Sequence, residues 1–165
     1  MLECQRPDLQ ASSLSPSLTP EPMPHDPISF ITHRVNYSET DQMGVAYHGR
    51  YVVWLDMART EHLRRTGTTY RQLEERGLLL AVGDLRVRYR SPAKYDDLVR
   101  VRCWVRDLAS RRITFGYAIE HAETGTLLAT AETAMMTLDR QFAVTRVPAQ
   151  VRELLAVCLD PVRLY

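Results

Sequence analysis

A chain of 165 residues with 45% hydrophobic and 25% charged residues has the composition of an ordinary soluble globular protein, enough for one packed core and not for two, which excludes fibrous and disordered classes. A formal net charge of +1 withholds the long-range basic attraction used by nucleic-acid and membrane-surface binders, so neither partner is expected. Cys4, Cys103 and Cys158 are odd in number without CxxC or metal-site spacing, and no stretch approaches the roughly 20 apolar residues of a membrane span, so the expectation is a cytoplasmic protein with no metal and no stable membrane insertion.

Residues 1–27 contain Pro7, Pro16, Pro20, Pro22, Pro24 and Pro27 among serines and acids, and read as a flexible N-terminal tail. Ile28 to Tyr37 is dense in β-branched and aromatic residues and predicts a first strand. A polar loop, Ser38 to Gly44, follows. Tyr51, Trp54, Leu55, Ala58 and His62 then recur at helical spacing, predicting a helix over roughly Gly49 to Thr66 with one buried stripe, closed by Arg64, Arg65 and Gly67. A shorter helix is expected over Tyr70 to Arg76, ended by Gly77.

Beyond it the period becomes two. Leu85, Val87 and Tyr89 alternate with arginines, and Val99, Val101, Cys103 and Val105 alternate with Arg100, Arg102, Trp104 and Arg106, so each strand is expected to bury one face and leave the other polar. Ile113, Phe115, Tyr117 and Ile119 continue the pattern. Glu123 to Thr126 supplies a hairpin turn into a last strand over Leu127 to Leu138, and Pro148 opens a terminal helix. Sequential strands after an early helix predict an α+β fold, an antiparallel sheet with the helix on one face. The domain is set at residues 28–158, with 159–165 as a C-terminal tail.

The chain has no GxSxG elbow, no GxxxxGK[ST] loop, no GxGxxG and no HExxH, so serine-triad, nucleotide-triphosphate and zincin chemistries lose support. The segment from Tyr37 to His48 carries the most chemistry. It sets Asp41 in a loop before a helix whose start, Tyr47-His48-Gly49, offers no Ser, Thr, Asp or Asn as cap. The first N–H groups of that helix need another acceptor, and a substrate carbonyl at the positive end of a helix dipole is one. On these residues alone two readings stay open: a carboxylate that attacks the polarised carbon or activates water, or an aspartate that merely shapes its loop, with His48 a satisfied helix-start histidine.

Tyr37-x-x-Thr40-Asp41-x-x-Gly44-x-x-Tyr47-His48-x-x-Tyr51-x-x-Trp54-x-Asp56-x-Ala58-Arg59 resembles the signature of the hotdog-fold acyl-CoA thioesterases, in particular the 4-hydroxybenzoyl-CoA and Tol-Pal-associated branches. Val87-x-Tyr89-x-x-Pro92-Ala93-Lys94-x-Asp96-Asp97 extends the likeness, which runs from about Ile28 to Leu155 and departs at Asp56, where many relatives carry glutamate. The resemblance implies a hotdog fold, an antiparallel sheet wrapped around a long central helix. It implies Asp41 as catalytic nucleophile or general base, the backbone N–H at His48 as carbonyl polariser, and Tyr37 beside them. It implies Gly44 and Tyr47 at the substrate, and Arg111 and Arg112, on the hairpin between the third and fourth strands, at the coenzyme A phosphates. The implied substrate is an acyl-CoA, with no separate cofactor because coenzyme A is part of the substrate. The implied assembly is a homodimer, further paired as a dimer of dimers. Hydrolysis of acyl groups on acyl carrier protein, or a non-catalytic acyl-binding scaffold, are the rival expectations.

Overall fold

The alternating strands and the striped helix close on one another. The computed structural model describes residues 26–165; the expected tail up to residue 25, with Cys4, lies outside the described residues. The chain runs through β1 (Ile28–Arg34), a 3-10 turn (Tyr37–Glu39), α1 (His48–Arg65), α2 (Tyr70–Glu75), β2 (Leu79–Tyr89), β3 (Leu98–Leu108), β4 (Arg112–His121), β5 (Leu127–Leu138) and α3 (Ala149–Leu154). The strands form one five-stranded antiparallel sheet in the order β1-β3-β4-β5-β2. Helix α1 lies against β1 and β3 on the inner face, giving the α+β arrangement of a sheet around a central helix. No helix among the described residues is long and apolar enough to cross a membrane.

The core forms where the two periods meet. Tyr51, Trp54, Leu55, Ala58 and His62 of α1 are all buried, and they face Val99, Val101, Cys103 and Val105 of β3 and Ile113, Phe115, Tyr117 and Ile119 of β4, each fully buried. Burying each large apolar side chain contributes about 1.5–3 kcal/mol, so this stripe anchors the helix. The Glu123–Thr126 turn is present, with Gly125 at φ +72, the left-handed conformation that disfavours a side chain.

Four expectations change. β1 stops at Arg34 instead of Tyr37, because Val35 leaves the sheet to bond the Asp97 backbone and Tyr37–Glu39 coils into the 3-10 turn. Leu85 and Tyr89, assigned to a buried face, are 36% and 46% exposed. β2 is the sheet edge, and α1 packs toward the far side of the sheet, leaving that end of the inner face open. Trp104 points to the outer face with the arginines, yet it is fully buried. The segment 159–165, set apart from the domain in the sequence, covers it: Leu164 packs on Trp104, the Trp104 Nε1–H donates to Asp160 at 3.0 Å, and Thr130 Oγ1 donates to the Leu164 carbonyl at 2.8 Å. On the same face Arg102 is paired to Glu120 and Arg106 to Glu132.

Candidate active site

The loop from Thr40 to Ala46 is a small closed unit, with the two ends bridged as antiparallel neighbours. Asp41 donates its N–H to the Val45 carbonyl at 2.9 Å and accepts from Gly44 N–H at 2.9 Å on its own carbonyl. Its Oδ1 accepts the Met43 N–H at 2.9 Å, an Asx turn. Gly44 sits at φ +75, so its part is to let the chain reverse. Asp41 Oδ2 has no protein hydrogen-bond partner among the described residues, and the side chain lines a cavity of about 340 Å³. One carboxylate oxygen is thus tied into the loop and the other is left without a protein partner among the described residues.

The start of α1 is uncapped, as its sequence predicts: Tyr47 is the N-cap residue and makes no side-chain cap bond. Arg50 N–H bonds back to the Tyr47 carbonyl at 2.8 Å, whereas the N–H groups of His48 and Gly49 have no acceptor among the described residues. The helix N-terminus, with these donors, therefore starts at His48, which lines the same cavity as Asp41 and Tyr51.

What holds this geometry was not singled out in the sequence. Glu39 is buried, and its carboxylate accepts from Asn36 N–H at 2.8 Å, from Trp54 Nε1–H at 2.9 Å and from His33 Nε2 at 2.8 Å. Burial pushes its carboxyl up, but these hydrogen bonds outweigh it and leave the group below the usual range. The Glu39 carbonyl takes the Tyr47 N–H at 2.8 Å, tying the residue before α1 to a core tryptophan. Tyr89 O–H donates to the His48 carbonyl at 2.8 Å and lines the same cavity, and Tyr51 O–H accepts the Ala93 N–H at 2.9 Å. Tyr51 and Tyr89 stand in the quoted signature, but the partners of their hydroxyls, and the burial of Glu39, are set by the fold and not by local pattern.

The other expected residues scatter. Tyr37 is 79% exposed and stacks edge-on against Tyr95, away from the cavity lining. Tyr47 is half exposed, with its ring against His48 at 4.3 Å between centroids, and is also outside the lining. Arg111 and Arg112 do fall between β3 and β4, but Arg112 pairs with Met136, which pairs with Ala81. That row is eight residues along β2 from Tyr89, roughly 26 Å at about 3.3 Å per residue. One copy of the chain therefore holds these arginines at the opposite end of the sheet from Asp41.

Residues 35–155 match the family model described as the thioesterase-like superfamily. The chain belongs to that superfamily. This thioesterase is 33% identical to the Escherichia coli acyl-CoA thioester hydrolase YbgC over 106 residues, 64% of this chain and 78% of YbgC. The DHNA-CoA thioesterase of Staphylococcus aureus superposes with a TM-score of 0.69 at 32% identity, over 72% of this chain and 80% of that one. A 4-hydroxybenzoyl CoA thioesterase solved with 4-hydroxybenzoyl CoA shares the fold, with a TM-score of 0.73 at 18% identity over 79% of this chain and 100% of that one. The α+β arrangement is the hotdog fold of these neighbours, and the protein is a thioester hydrolase.

Proposed function

We propose that the protein hydrolyses an acyl-coenzyme A thioester to the free acid and coenzyme A, with Asp41 as the attacking or water-activating carboxylate and the N–H groups of His48 and Gly49 as carbonyl polarisers. The observation that carries this is one cavity bordered both by a carboxylate with a free oxygen and by helix-terminal donors with no acceptor. A thioester carbonyl placed on those donors gains stabilisation as charge builds on its oxygen. Water whose proton Asp41 takes can attack directly, forming the new C–O bond as the C–S bond breaks, with that proton passing to the leaving sulfur. Alternatively Asp41 itself attacks, releasing the thiolate and leaving a mixed anhydride, which water then hydrolyses to the acid and the restored carboxylate while its proton passes to the thiolate. The Asx turn fixes one carboxylate oxygen and leaves the other for this step. The reaction as proposed uses water and no separate cofactor. The setting is the cytoplasm, consistent with the free thiols of Cys103 and Cys158.

The active assembly is a dimer paired along β2. That strand is an 11-residue sheet edge, and Val82 and Leu85 on it stand exposed beside Val52 and Val53 of α1. An exposed apolar edge strand is a template for a second strand. Antiparallel pairing of two β2 strands sets the Ala81 end of one against the Tyr89 end of the other. Arg111 of the partner subunit and Arg112 of the partner subunit are then carried toward the Asp41 cavity, where their forked donors suit the phosphates of coenzyme A.

The reading is tested by thiol release with purified protein on short, long and aromatic acyl-CoAs, alongside the matching acyl-carrier-protein thioesters. Hydrolysis with a higher kcat/KM on coenzyme A is expected. A higher value on the carrier protein, or tight acyl-CoA binding without thiol release, would refute it.

A further inference from the structure

The turn after β5 holds a side chain that its backbone disfavours. Residues 139–143 reverse the chain so that Val144 bridges back to Leu138. Phe142 N–H donates to the Asp139 carbonyl at 3.0 Å and Asp139 N–H to the Ala143 carbonyl at 2.9 Å, while Asp139 Oδ1 accepts from Gln141 N–H and from Ala143 N–H, each at 2.9 Å. This is a β-turn followed by one residue in the left-handed region, the hairpin position that glycine usually fills. Phe142 fills it here, at φ +61. A bulky residue there is a steric outlier, because its Cβ crowds the following carbonyl. Packing does not offset this, since Phe142 is 74% exposed. A strained backbone in a fully bonded turn, holding an aromatic ring out in solvent, points to a ligand.

The β3–β4 hairpin lies beside this turn. Thr137 N–H donates to the Arg111 carbonyl at 3.2 Å, Thr145 N–H to the Thr137 carbonyl at 2.9 Å and Val147 N–H to the Ser110 carbonyl at 2.9 Å, so the segment leaving the turn lies against the hairpin that bears the arginines. From Thr145 back to Phe142 is at most about 10 Å of chain. Arg111 and Arg112 are exposed; Arg112 has a 3.4 Å contact with Asp107, and Arg111 has no ion pair among the described residues. Moving off the end of the sheet, the Arg112–Met136 row comes first and the turn beyond Leu138 second. In coenzyme A the adenosine likewise lies beyond the phosphates.

We propose that Phe142 stacks on the adenine ring of coenzyme A, whose phosphates Arg111 and Arg112 hold. This rests on the acyl-CoA hydrolase reading and on the part given there to the two arginines, and it deepens that reading by naming the group that recognises the base. A phenylalanine has no donor or acceptor, so what it selects is a flat face, and a purine offers one. Forked cations on the phosphates and an aromatic ring on the base are together what holds a nucleotide. The rigid turn keeps the ring in place before the ligand arrives, so little freedom is lost on binding.

The test is calorimetric titration of the full chain with coenzyme A and with 4′-phosphopantetheine, which keeps the pantetheine arm and one phosphate but lacks the adenosine. Phe142→Asn removes the ring at a residue type that accepts left-handed backbone, and Phe142→Trp keeps a ring. Phe142→Asn is expected to weaken coenzyme A about tenfold and 4′-phosphopantetheine less than about twofold, and Phe142→Trp to restore the loss. Phe142→Asn should also melt no lower than wild type and keep its oligomeric state on size exclusion with light scattering. Arg111→Gln should weaken both ligands, because both carry phosphate. Unchanged coenzyme A affinity in Phe142→Asn, or equal weakening of both ligands, overturns the adenine site; so does a lower melting temperature or an altered oligomer, which would make Phe142 a packing or subunit contact. A protein that binds coenzyme A in the expected pattern yet releases no thiol from any acyl-CoA supports the adenine site and overturns the hydrolase reading. One that binds neither ligand overturns both.

Discussion

Asp41→Asn separates the chemistry of the loop from its architecture. Asparagine keeps an Oδ1 that can accept the Met43 N–H, now at 2.9 Å, so the Asx turn and the approach to α1 survive. It removes the charge and the second carboxylate oxygen, to which the proposed mechanism gives the proton-accepting or nucleophilic part. Loss of a positioned base costs about 10² to 10⁴ in rate, which at about 1.4 kcal/mol per decade is roughly 3–5.5 kcal/mol of barrier. Asp41→Ala loses the same chemistry and, in addition, the Asx hydrogen bond, worth about 1 kcal/mol, or about 2–4 °C in Tm for a chain of this size. Thiol release under saturating acyl-CoA gives kcat, and a thermal melt gives Tm. The expected pattern is two inactive variants, of which the asparagine melts like wild type and the alanine a few degrees lower. Near-wild-type kcat in Asp41→Asn would refute the assignment, and so would an alanine loss fully explained by unfolding at the assay temperature.

Three further outcomes follow from the same contacts. Tyr89→Phe removes the O–H that holds the His48 carbonyl and should lower kcat about tenfold, with KM and Tm little changed, read by steady-state kinetics and a melt. Burial, with the Arg65 charge adding to it, pushes His62 down to about 4 from 6.5, so between those values the unfolded chain binds a proton that the folded chain refuses. Stability should therefore fall by roughly 2–3 kcal/mol from pH 7 to pH 4.5 in denaturant titrations, and His62→Gln should flatten that slope; an equal slope in the variant excludes His62 as its source. Val82→Asp places a charge on the exposed β2 edge and should shift the protein from dimer to monomer on size exclusion with light scattering; a dimer of unchanged stability would send the interface elsewhere.

Local chemistry sufficed for much of this molecule. Periods of 3.6 and 2 located α1 and the inward stripes of β3 and β4, because each element must bury a face whatever its partners are. The absence of a capping side chain before His48 was likewise visible in three consecutive residues, and the Asp41 loop stood beside it in the chain. What the sequence could not decide was which neighbour each face would meet. The exposure of Leu85 and Tyr89 follows from β2 ending at the sheet edge, and the burial of Trp104 from the C-terminal segment folding over it, both matters of chain path and not of pattern. Arg111 and Arg112 sat on the expected hairpin, yet only the register through Met136 and Ala81 showed them to be a sheet length from Asp41. The roles of Glu39 and Tyr89 were invisible for the same reason: their hydrogen bonds to Trp54 and to the His48 carbonyl exist only once α1 packs beside the turn and β2.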